Sequence, residues 1–116
     1  MAITKGAGTS VIASTNANTN SSVQNVSANY LTEVYVDLIQ NGTATTAATV
    51  QIQPSPDNST FYNPASLLWT APLNAGTYDA VIQVPGTAIA YKAIYTIQNG
   101  GTNSVCAIQS NFVNGV

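Results

Sequence analysis

A chain of 116 residues with two Lys, four Asp or Glu, no His and a net charge of -2 has room for one domain and almost no electric field to steer a partner. Two Lys without Arg cannot displace the counterions of nucleic acid or hold an anionic membrane, and no apolar run reaches transmembrane length. Without His, and with one Cys, neither a zinc site nor a His-based triad can be assembled, so no enzyme, metal or cofactor is expected.

The opening stretch MAITKGAGTSVIAS lacks an apolar signal core, so synthesis and retention in a cytoplasm are expected, or release by a route other than secretion. Residues 1–28 are rich in Ala, Ser, Thr and Asn and offer only Val11, Ile12, Val23 and Val26 for burial. They read either as an extended arm that orders against a partner or as an edge strand followed by a loop. Residues 29–116 read as the folded domain.

Tyr30 to Gln40 is a clear strand, with Val34, Val36 and Leu38 on one face and Glu33, Tyr35 and Asp37 on the other. Glu33 and Asp37 lie about 13 Å apart along it, too far to share acid–base work. Asn41-Gly42 signals a hairpin, returning through 43–53 with Val50 and Ile52 inward. The stretch PSPDNSTFYNP is a compact loop; its Asp57 and Asn58 bring too few carboxylates for calcium. Trp69, after Leu67-Leu68, is the largest single apolar surface.

Thr77 to Gln98 reads as two alternating strands joined at Pro85-Gly86. Tyr78, Ala80, Ile82 and Val84 share a face in the first, and Ile89, Tyr91, Ala93, Tyr95 and Ile97 in the second. Asn99-Gly100-Gly101 gives a tight turn, and Asn103 to Val113 closes the chain with Cys106, a small core residue, beside Ile108 and Phe112. Seven or eight short strands at regular spacing, with no helical period, make an all-β fold: a single antiparallel sandwich or jelly roll with an extended N-terminal segment.

Two features bear on function. Tyr35, Tyr62 and Trp69 are aromatics able to stack on sugar rings or to anchor a protein interface. Soluble β proteins guard their sheet edges with Lys, and this chain has almost none to spare. Its edges are therefore expected to be covered in the working state by contacts that survive high salt.

The run VQIQPSPDNSTFYN (50–63) and the segment AGTYDAVIQVPGTAIAYKAIYT (75–96) resemble the small β-sandwich structural proteins of tailed bacteriophages, with Asn58 where a turn Gly is common. The resemblance implies a head decoration, or cement, protein on the capsid surface of the virion. Such a protein binds major capsid protein as a dimer or trimer and carries no catalytic residues. Val11, Ile12, Val23, Val26, Tyr35 and Trp69 are the expected interface residues. The alternative is a carbohydrate- or receptor-binding sandwich of a phage tail or fibre, using Tyr35, Tyr62 or Trp69.

Overall fold

The computed structural model describes residues 3–100 and 104–115. Among them are ten strands: β1 (Ile3–Lys5), β2 (Thr9–Thr15), β3 (Thr19–Asn20), β4 (Gln24–Asn25), β5 (Leu31–Gln40), β6 (Thr49–Ser55), β7 (Leu68–Thr70), β8 (Gly76–Val84), β9 (Ala90–Thr96) and β10 (Val105–Gly115). They form two antiparallel sheets. In the first, β8, β5 and β10 lie side by side, and β1 and β2 both pair along the far flank of β10. In the second, β7, β6 and β9 lie side by side, and β3 and β4 share the far flank of β9.

The pairs β1/β2 and β3/β4 are thus broken edge strands, each filling one position. That leaves four positions per sheet, and the chain changes sheet at every step between positions except β6 to β7. This winding is the jelly roll. The all-β sandwich read from the sequence is the observed fold.

Alternation decides which side chains enter the core. On β5, Val34, Val36 and Leu38 point inward and are buried, while Tyr35, Asp37 and Ile39 point out. Val50 and Ile52 of β6, Tyr91, Ala93 and Tyr95 of β9, and Cys106 and Ile108 of β10 complete the core from both sheets. Burial pushes the Cys106 thiol up to about 12, with the Asp37 carboxylate adding to it, so this sulfur stays a neutral core group.

Two expected hairpins do not form. The strands flanking Asn41-Gly42 and those flanking Pro85-Gly86 belong to different sheets, so both segments are arches across the sandwich. Neither Gly42 nor Gly86 has positive φ, as the primed hairpin turns require. At the second arch the Ala88 amide donates to the Pro85 carbonyl at 3.0 Å and turns the chain toward β9. Gly100, by contrast, does take a left-handed φ of 80°, consistent with the turn expected there; Gly101 lies outside the described residues. Asn58 is also left-handed, at 58°, which Asn tolerates in place of Gly.

The N-terminal segment is folded in as edge strands. Backbone pairing with β10 turns Ile12 inward at 4% exposure, and the Val26 amide bonds the Ile89 carbonyl, leaving that side chain at 7%. Ile12 and Val26 are therefore core residues and not the arm contacts expected of them. Val11 packs half-buried against the core, and Val23 remains exposed. The break between β1 and β2 falls at Gly6, whose amide donates to the Phe112 carbonyl at 2.8 Å. A Cβ at Gly6 would run into the Phe112 ring, so the crossing needs glycine.

Candidate functional site

Three of the four sheet edges are broken or short. β1/β2 is interrupted and carries register shifts against β10, β3/β4 is two residues at a time, and β7 has three residues. β8 is different. It runs nine residues without a bulge, pairs with β5 along its whole length, and has no strand on its other flank among the described residues. It contains no Lys and no Pro, and its one charge is Asp79. A long, regular edge of this kind is a ready template for another strand.

The outer face of the first sheet adjoins that edge. Register sets its rows: Tyr35 lies between Val81 and Gln109, Asp37 between Asp79 and Ala107, and Ile39 between Thr77 and Val105. Tyr35 and Ile39 are each 44% exposed and Val81 is 55% exposed. Small Ala107 leaves a hollow of about 380 Å³ beneath Tyr35, Asp37, Asp79, Val81 and Gln109. A second hollow of about 330 Å³ lies on the other side of Tyr35, lined by Lys5, Glu33, Asn111 and Phe112.

Asp37 and Asp79 sit directly opposite one another, with Cα atoms about 4.5–5.5 Å apart by strand geometry. Neither carboxylate has a hydrogen bond or ion pair among the described residues. Like charges in that position destabilise a strand pair. Asp79→Asn is therefore expected to raise the melting temperature by roughly 2 °C at low salt, and less at high salt. Thermal unfolding followed by circular dichroism checks this; an unchanged or lower value would mean the pair carries no strain.

The other charges are already engaged or lie elsewhere. Lys92, on the outer face of the second sheet, sits 4.3 Å from the Phe61 ring centroid. Asp57 closes its own loop by accepting from the Ser59 and Thr60 amides at 2.9 and 2.8 Å. The Thr60 amide foremost, then Ser59, holds its carboxyl below the usual range. Among the described residues no three His, Cys, Asp or Glu side chains gather around a point that could hold a metal.

Of the residues singled out from the sequence, Tyr35 lies on this face. Trp69, on the edge strand β7, is half-buried against the core and belongs to the opposite sheet. Tyr62 is exposed at one end of the sandwich, where it shares a hollow of about 240 Å³ with Pro54, Pro56 and Pro85. Sequence reasoning missed Asp79 and Val81 as partners of Asp37 and Tyr35. The matching alternation of the two strands was visible, but nothing local says that β5 and β8 pair.

No protein family matches the chain, and no curated protein matches it. Solved structures do match its fold. Protein YomS, derived from the SPBc2 prophage, aligns at a TM-score of 0.56 and 10% identity, over 98% of this chain and 96% of its own. The K1 cleaved adhesin domain of Lys-gingipain from Porphyromonas gingivalis W83 aligns at 0.49 and 10% identity, over 78% of this chain and 60% of that one. A family 16 carbohydrate-binding module aligns at 0.45 and 9% identity, over 88% and 74%. The first is a likeness of fold across nearly the whole of both chains; the other two fall below the level at which overlap carries an argument.

Proposed function

We propose that this chain is a structural protein of a bacteriophage virion, made in the host cytoplasm, that decorates the capsid and stabilises it by binding major capsid protein. The observation that carries the reading is the nine-residue open edge of β8 beside an outer face that exposes Tyr35, Ile39 and Val81. Such a surface is a liability in a free monomer and an asset in a shell, where neighbours cover it. The fold it shares with a prophage-derived protein fits the setting. Binding is through backbone pairing and close packing, with no catalytic step and no cofactor, and the protein acts as a dimer or trimer.

Sedimentation of the purified chain with undecorated phage heads tests this. Saturable occupancy over the whole shell, retained at molar salt, is the expected result. Val81→Lys, which guards the edge at an exposed position, should lower occupancy on the order of tenfold while leaving the fold intact. A chain that stays free of the particles would sink the proposal. Attachment in a few copies at the tail would instead favour the sugar- or receptor-binding alternative, for which the exposed Tyr62 among three prolines is the supporting feature. A glycan array with Tyr62→Ala as control would then follow.

A further inference from the structure

The outer face of the first sheet gathers Glu33, Asp37 and Asp79, three of the chain's four acidic residues. Asp37 and Asp79 are flanked by uncharged rows, Val81, Tyr35 and Gln109 on one side and Thr77, Ile39 and Val105 on the other. Among the described residues no cation stands beside that pair. Lys92 is on the opposite sheet, over Phe61, and Lys5 lines the neighbouring hollow with Glu33. An acidic pair with no cation beside it, flanked by exposed apolar groups and an open strand edge, is a half-built contact.

We infer that β8 receives an extended segment of a different protein as an added strand, and that this segment places a Lys or Arg over Asp79 and Asp37. An added strand puts one outward residue directly opposite Asp79. An Arg or Lys there lies within side-chain reach of both carboxylates, with its stem over Val81. The backbone edge supplies affinity, and the buried charge pair fixes register, because a shift of one residue turns the basic side chain to the wrong face.

A second copy of this chain does not fit. β8 contains no Lys or Arg, so its own copy has no basic side chain to place opposite Asp79 in any register, and the register that puts Asp79 opposite Asp79 lines up four carboxylates. The inference takes from the proposed function the reading of this face as a docking surface. Its test uses no virion particle, so a failure here and a failure to bind shells are separate results.

The probe is a blocked synthetic strand, Thr-Val-Thr-Arg-Thr-Val-Thr, titrated into the isotope-labelled full chain and followed by amide NMR. Shifts are expected along residues 76–82 and around Asp37 and Ala107. The same peptide with Glu in place of Arg should bind at least about tenfold more weakly at low salt, since a like charge replaces an opposite one. The double variant D37N/D79N should bind the two peptides equally. Equal binding of both peptides to the unsubstituted chain would overturn the inference, as would shifts confined to another edge or none at millimolar peptide. Concentration-dependent self-association through β8 would overturn it in favour of a second copy. Saturation of the two carboxylates by calcium alone would overturn it in favour of a metal site. The Arg-against-Glu comparison needs no variant, so it stands even if D37N/D79N fails to fold.

Discussion

Deleting residues 3–15 is expected to leave a chain with no cooperative unfolding transition at 25 °C. The sequence leaves the segment open as an arm or an edge strand, and in the fold β1 and β2 together close one whole flank of β10, from Cys106 to Gly115. Removing them strips those backbone pairings and uncovers the core residues Cys106 and Ile108. It also removes Ile12, whose truncation to Ala alone would cost about 2–5 kcal/mol as a buried aliphatic. Domains of this size hold only about 5–15 kcal/mol in total, so the lost edge and the lost side chain together exhaust most of it. Urea unfolding followed by circular dichroism is the measurement. A sharp transition near that of the full chain would show β1 and β2 to be separable from the sandwich. The consequence for function is practical: this deletion cannot serve as a test of whether the N-terminal segment touches a capsid, because it removes the fold as well. Substitution of exposed Val23 can.

The facing of the central strands was legible and their partners were not. A period of two is written in each strand separately, so Val34, Val36 and Leu38, or Tyr91, Ala93 and Tyr95, declare their inward side without reference to anything else. Whether Asn41-Gly42 makes a hairpin or an arch depends on what the two flanking strands bury against, which is a property of the whole sandwich. The same holds for Pro85-Gly86, where a turn forms but delivers the chain to the other sheet. The N-terminal edges were legible only as one of two readings, for a different reason. They are held largely by backbone pairing to β10 and β9, and a backbone ladder leaves little trace in side-chain composition. The candidate site inherited both limits: Tyr35 was recognisable as an outward aromatic, but the acidic pair beside it exists only because β5 meets β8 in one register.

The two buried tyrosines of β9 should respond in opposite ways to loss of the hydroxyl. Both are 1% exposed and point across the sandwich toward the first sheet. The Tyr95 hydroxyl hydrogen-bonds the Ser104 hydroxyl, whose amide in turn donates to the Gln98 side chain at 3.0 Å. This ties the end of β9 to the start of β10. Tyr95→Phe strands a buried Ser104 hydroxyl and is expected to cost about 1–3 kcal/mol. Tyr95→Ala adds a ring-sized cavity, for about 3–5 kcal/mol in all. The Tyr91 hydroxyl is buried without a hydrogen bond of ordinary geometry, and its one hydrogen-bonding neighbour, the Ser110 side chain, makes only a weaker contact with it. Burial raises the pKa of both phenols, which marks the cost of keeping these oxygens out of water. For Tyr91 the Ser110 contact offsets only part of that cost, so Tyr91→Phe should be neutral or slightly stabilising. Chemical denaturation of the three variants decides it. Negligible losses for both Phe variants would mean that neither hydroxyl is held by a partner worth keeping, and that the aromatic rings alone lock the sheets together; equal losses of about 1–3 kcal/mol would mean that Ser110 holds the Tyr91 hydroxyl as Ser104 holds that of Tyr95.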